Sequence, residues 1–190
     1  YADDFKIFCR KRQDAEKLFI AVKKWLKERL GLDISPEKSK IVNLREHYSY
    51  FLDFKLKVIE KGKYSNGEKR YVIYSHISDK ASKNIHLKAK QYLCKIQYPD
   101  SRETAYKAVQ NYNAFVMGVH NYYRLATNVS CDFARIAYPV LKSLKTRLKG
   151  NISSNGICSS LLKERYGKSS QLMYVYGFAL IPISYVQHKA

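Results

Sequence analysis

The sequence predicts an α+β chain, with antiparallel strands and one helix in its first part and helices alone in the part that follows. Three observations carry that expectation. Short runs rich in Phe, Tyr, Ile and Val occur before Ser78, and one of them alternates apolar and polar residues as a half-buried strand should. After Ser78, apolar residues recur at three- and four-residue spacing in three long stretches, the mark of helices with one buried stripe. The character changes from Ser78 onward, with one helix-period stretch, residues 14–30, lying among the strand-like runs before it.

The elements follow in order. Phe5-Lys6-Ile7-Phe8-Cys9 alternates and predicts a strand. Over residues 14–30 the period switches. Ala15, Leu18, Phe19, Val22, Trp25, Leu26 and Leu30 form an apolar stripe opposite lysines, and Gly31 stops the helix in the usual position just past its end. Pro36 excludes a central strand, and Ser35-Pro36 suits a tight turn between two short extended pieces. Tyr48 to Val58 reads as one or two strands. Asn66-Gly67, inside the stretch Gly62 to Gly67, signals a hairpin whose returning strand is Arg70 to Tyr74.

Beyond Ser78, the stretch Lys80 to Cys94 is basic with helical spacing at Ile85, Leu87 and Leu93. Residues 103–124 carry Ala105, Val109, Tyr112, Phe115, Val116, Val119 and Tyr123 at the same period. Residues 132–149 repeat it with Phe133, Ile136, Ala137, Val140, Leu141, Leu144 and Leu148. Asn151 to Gly156 reads as a polar linker, and the sequence from Leu161 onward shows no clear period. The predicted organisation is a strand-and-helix part over residues 1–76, a helical part over 77–150 and an extension of unassigned structure over 151–190.

Charge narrows the function. Thirty-five Lys and Arg stand against 16 Asp and Glu, a net +19. Such an excess repels itself, and a polyanionic partner is its usual explanation. The aromatics favour nucleic acid over a membrane surface. There are 17 Tyr and 8 Phe but 1 Trp; a Tyr ring stacks on a base and its hydroxyl reaches phosphate or a 2′-OH. No apolar run reaches the roughly 18 residues of a membrane span, and the most apolar stretch, Met173 to Val186, is broken by Pro182. No secretory signal is present. Cys9, Cys94, Cys131 and Cys158 are far apart and make no C-x-x-C pair, which predicts no zinc site, no disulfide partner and a reducing, intracellular setting. The chain opens on Tyr1-Ala2-Asp3-Asp4 without a Met and reads as a piece of a longer protein.

Those four residues carry a possible chemistry. Nucleotidyl transfer at neutral pH uses two divalent metals about 3.5–4 Å apart, one at the attacking 3′-hydroxyl and one at the leaving phosphate. Mg²⁺ binds through a few carboxylates plus water and substrate phosphates. Adjacent aspartates in a tight turn, such as Asp3 and Asp4, can aim carboxylates at that spot.

Tyr1-Ala2-Asp3-Asp4 resembles the catalytic turn of reverse transcriptases. In that family the turn is followed by a strand, a long amphipathic helix and a Leu-x-Leu-Ser-x-Glu-Lys-Thr-Lys segment, here Leu32-Asp33-Ile34-Ser35-Pro36-Glu37-Lys38-Ser39-Lys40-Ile41. The family's Phe-Leu-Gly-Phe primer grip stands here as Phe51-Leu52-Asp53-Phe54. Gly118-Val119-His120-Asn121-Tyr122-Tyr123-Arg124 resembles the Gly-x-x-Asn-Tyr-Tyr signature of the maturase domain of group II intron reverse transcriptases. The four motifs stand in family order over roughly residues 1–150, a far more specific match than any one alone.

The resemblance implies the end of a polymerase palm followed by a helical thumb and maturase domain. It implies Asp3 and Asp4 as catalytic ligands to two Mg²⁺ ions, and dNTP, an RNA template, a DNA primer and the group II intron RNA as partners. The setting is then a bacterial cytoplasm or an organellar matrix. Lys38 and Lys40 fall where the family places a basic segment near the incoming triphosphate, to contact phosphate or to lie solvated beside Glu37. Lys80, Lys83, Lys88, Lys90 and Lys95 fall at the start of the thumb, and Lys142, Lys145, Arg147 and Lys149 form a second basic face. Asn121, Tyr122, Tyr123 and Arg124 cannot all face one core, because consecutive helical residues point about 100° apart. RNA contact is expected of Asn121 and Arg124, and core packing of one of the tyrosines.

Two departures from the family pattern stand out. Asp53 replaces the primer-grip glycine, adding bulk and negative charge beside a phosphate backbone. The first palm motif with its third aspartate, and the fingers, are absent. The chain alone is therefore expected to bind RNA without polymerising. The alternative is a non-catalytic splicing factor whose polymerase half is degenerate or absent.

Overall fold

The computed structural model describes residues 4–186. The chain is α+β, with helices and two small antiparallel sheets. Backbone packing divides it into two compact units, Tyr1–Tyr74 and Ser75–Ala190. Among the described residues, no helix is long and apolar enough to cross a membrane.

In the first unit, helix α1 runs Arg12–Leu30. Gly31 ends it at φ 65°, and the Leu32 N–H reaches back to the Leu26 carbonyl at 3.1 Å, which satisfies carbonyls the helix end would orphan. The stripe on α1, expected to be buried, is not. No residue of α1 is buried, and Trp25 is 54 % exposed. Periodicity marks a helix able to bury one face, but burial needs a second layer, and no described element of this unit covers that face.

Phe5 to Cys9, expected as a strand, is irregular, and Phe5, Ile7 and Phe8 are exposed. A strand exists through its ladder of hydrogen bonds, and no described strand pairs with this segment. The Ser35-Pro36 turn does form, closed by the Ser39 N–H on the Ser35 carbonyl at 2.9 Å. Strands β1 (Ser49–Phe51), β2 (Phe54–Lys63) and β3 (Lys69–Ile77) make a sheet in that order. Asn66-Gly67 closes β2 to β3: Gly67 sits at φ 83°, and Tyr64 exchanges bonds with Gly67 and Glu68 at 3.0 and 2.8 Å.

The second unit is built on three long helices, α2 (Asp79–Gln97), α3 (Arg102–Tyr123) and α4 (Val129–Leu148). Ser78 caps α2 through the Ala81 N–H, and Ser101 with Thr104 forms a reciprocal capping box on α3. Their facing stripes are the core: Ala81, Ile85, Ala89, Leu93 and Ile96 from α2, Val109, Tyr112 and Val116 from α3, Phe133, Val140, Leu144 and Leu148 from α4. Pro139 stands inside α4, where it removes one rung of the hydrogen-bond ladder.

The end of β3 is held by this unit. The Ser75 N–H donates to Thr127 Oγ1 at 2.8 Å, the Thr127 N–H donates to Ser75 Oγ at 2.8 Å, and the Asn128 N–H donates to the Ser75 carbonyl at 3.1 Å. The buried Asp132 carboxylate meets His76 Nδ1 and the Ile77 N–H, each at 2.8 Å.

The predicted polar linker is instead structured. A turn of 3₁₀ helix at Lys149–Asn151 leads into β4 (Ile152–Ser153), which pairs with β5 (Met173–Val175), itself paired with β6 (Phe178–Leu180). Helix α5 (Ser160–Tyr166) lies between them in sequence. Phe178 to Ile183, buried throughout, adds apolar side chains to the core beside α3. Strands of two or three residues are too short to show a period, so their place is set by what they pack against.

Candidate nucleic-acid interface

The residues singled out from the sequence fall in both units. In the first, Asp3 lies outside the described residues. Asp4 is exposed in the irregular segment ahead of α1. No group of three or more His, Cys, Asp or Glu that could hold a metal ion occurs among the described residues. Asp4 alone does not make a site for two Mg²⁺ ions, and the described residues assemble no other part of one. Lys38 is the last residue within the Ser35-Pro36 turn and Lys40 lies just beyond it, both exposed.

Phe51-Leu52-Asp53-Phe54 is the β1–β2 hairpin. Phe51 pairs with Phe54, and the two residues between them take left-handed conformations, Leu52 at φ 46° and Asp53 at φ 63°. Both signs match the two-residue turn that joins twisted strands, which glycine, asparagine and aspartate tolerate best. Asp53 is exposed at the tip. Lys6 hydrogen-bonds Ser49 and lies 5.7 Å from the Phe51 ring centroid. Burial, and then the nearby Lys40 ammonium, pull the Lys6 pKa below its ordinary value. Cations meet rings elsewhere on this sheet: Lys55 and Lys57 each lie 5.5 Å from Tyr48, and the Arg45 guanidinium lies 4.1 Å from Tyr71.

In the second unit, the end of α3 sorts its polar-aromatic run by the helical turn. Asn121 and Tyr122 are exposed, Tyr123 is buried, and Arg124 is half-buried where the helix ends. Tyr122 meets Tyr123 edge to face at 4.8 Å, so the inward ring supports the outward one. His120, one turn earlier, is buried. Its Nε2–H donates to the Ile183 carbonyl at 2.9 Å, and its Nδ1 accepts from the Tyr166 hydroxyl at 3.3 Å. The run thus presents an amide, a phenol and a guanidinium on a base anchored in the core. These groups suit a strand of nucleic acid: a bidentate cation for phosphate and a ring for a base.

Helix α2 carries the second set. Lys80, Lys83, Lys88 and Lys95 are exposed and Lys90 is half-buried. Lys142, Lys145, Arg147 and Lys149 are exposed at the end of α4 and just beyond it; Arg147 also bonds the Gln97 side chain at 2.8 Å. Burial, then Lys90, lowers the His86 pKa, so that imidazole stays neutral among the lysines.

Beside these lysines, Gln91 and Tyr92 escaped the sequence reading, and Phe115 entered it only as one residue of the apolar stripe of α3. The Tyr92 and Phe115 rings stack at 5.1 Å with 29° between their planes. The signal was present in Lys88, Tyr92 and Lys95, which share one side of α2 at i, i+4 and i+7, but the pairing with α3 was not.

No family model, curated protein or solved structure matches this chain.

Proposed function

We propose that the chain binds RNA, and that it is the end of the palm with the thumb and maturase domain of a group II intron reverse transcriptase. The observation that carries the reading is the end of α3, where Asn121, Tyr122 and Arg124 reach solvent from a buried His120–Tyr123 base, in a chain of net charge +19. Order adds support: the four family-like segments occur along the chain with hairpin, helices and caps that suit a palm followed by a thumb. The parent protein would copy RNA into DNA and assist splicing of its intron, with Asp3 and Asp4 among its acidic ligands. The chain alone binds RNA and does not extend a primer.

A second reading, an RNA-binding splicing factor without polymerase activity, is favoured by one observation: Asp53 places a carboxylate at the exposed tip of the hairpin where a primer backbone would run.

The test is RNA affinity of the 190-residue chain across a salt series, with Arg124→Ala beside it. Loss of one phosphate contact lowers the magnitude of the slope of log K against log salt by about 1. An unchanged affinity and slope for Arg124→Ala removes the proposed contact. Robust primer extension by the chain alone contradicts the assignment of its catalytic incompleteness.

A further inference from the structure

We propose that the depression between α2 and α3 receives one unpaired nucleotide of an RNA strand. This rests on RNA binding by the second unit and adds the form of ligand that unit selects. The depression holds about 190 Å³ and is lined by Lys88, Gln91, Tyr92 and Lys95 of α2 and Phe115 of α3. Pockets that enclose a whole small molecule run to roughly 300–1,000 Å³, so this one suits a single planar ring system.

Its chemistry sorts into three parts. Tyr92 and Phe115, stacked on each other, offer an aromatic surface that a base extends by stacking, whatever its identity. Gln91 supplies a donor and an acceptor for a base edge. Lys88 and Lys95 supply cations, and the Lys95 ammonium lies 5.9 Å from the Tyr92 ring centroid.

The spacing selects a strand over a free nucleotide. Seven residues separate Lys88 from Lys95, about 10 Å along a helix axis, so the two ammonium groups serve different phosphates on either side of the stacked base. The stacking surface selects an unpaired base over a duplex. Bases inside a helix have their faces covered by neighbours, and single-stranded RNA is where rings of protein and base meet.

The experiment uses the full chain and a short RNA with 2-aminopurine at its centre, once single-stranded and once annealed to its complement. Tyr92→Leu keeps apolar volume in the site and removes the ring. The expected result is a 2-aminopurine fluorescence change on binding that Tyr92→Leu abolishes. Single-strand affinity falls about tenfold, within the range stacking contributes per base, while duplex affinity stays within about twofold. The double variant Lys88→Ala/Lys95→Ala, at two exposed positions, lowers the single-strand salt slope by about 1.4, the value for two phosphates. Equal losses on single strand and duplex, or none on either, overturn this inference while leaving RNA binding intact. Failure of the unaltered chain to bind either RNA removes both.

Discussion

His120 shows how far one side chain can commit a protein to a pH range. Burial drives its pKa down to about 4, against which the hydrogen bond to Ile183 works only in part. The folded state therefore holds a neutral imidazole, while the unfolded chain titrates near 6.5. A folded pKa below the unfolded one means that stability is whole above about pH 6.5 and is lost as pH falls toward about 4, by roughly 3 kcal/mol at the limit. Urea midpoints of the second unit should fall between about pH 7 and about pH 4.5, and His120→Gln should flatten that dependence. Asp53 makes a different commitment. At φ 63° it occupies a conformation that costs most L residues about 1–2 kcal/mol and aspartate less. Asp53→Val should destabilise the first unit by about that amount and Asp53→Asn by under about 0.5 kcal/mol, read from urea unfolding. The turn also explains why an acid is accepted at this position.

At the scale of elements, α3 is the organiser of the second unit. Asn113 and His120, seven residues apart on its buried side, hold the segment after β5 as a neighbouring strand would. Asn113 Nδ2 donates to the Ala179 carbonyl at 2.8 Å, and the Ile181 N–H donates to Asn113 Oδ1 at 2.9 Å. Asn113→Leu keeps the volume and orphans two buried backbone groups, each costing about 1–3 kcal/mol. Its expected loss is about 2–4 kcal/mol in denaturant unfolding, with faster amide exchange at Ile181. The same contrast sets what sequence could convey. Helices α2, α3 and α4 were legible because a buried stripe must repeat every 3.6 residues. The β2–β3 hairpin was legible from Asn66-Gly67, while the Phe-rich run was legible only as one or two strands. Strands β4 to β6 were not, because an amide on α3 holds β6 and the segment after it, and β5 and β4 pair on in turn, not through a pattern of their own. The stripe of α1 was legible as a helix, but its exposure was not. At the α3 terminus, helical geometry required that part of the run Asn121 to Arg124 face outward but did not say which tyrosine turns inward, whereas the Tyr92–Phe115 stack needed two helices brought together.

For the whole molecule, one number sets two opposed trends. A net +19 repels itself within the fold and attracts polyanions outside it, and both fields weaken as the screening length shortens from about 30 Å at 0.01 M salt to about 8 Å at 0.15 M. Raising salt over that range should raise the melting temperature of the free chain and weaken its RNA affinity at once. Differential scanning fluorimetry and anisotropy on one salt series measure both. Two curves moving the same way would mean that charge governs neither.

The end of β3 has a practical side for anyone trimming this protein. The change of character near Ser78 invites a cut just before it, and the helices that follow look self-sufficient on paper. Such a cut would discard Ser75, which Thr127 and Asn128 grip, and His76 and Ile77, which occupy the carboxylate of Asp132. A buried acid stripped of both partners is expensive to keep dry, so the shortened chain would open around the start of α4 to wet it. The helical part needs its borrowed strand end, and a workable boundary lies upstream of Ser75.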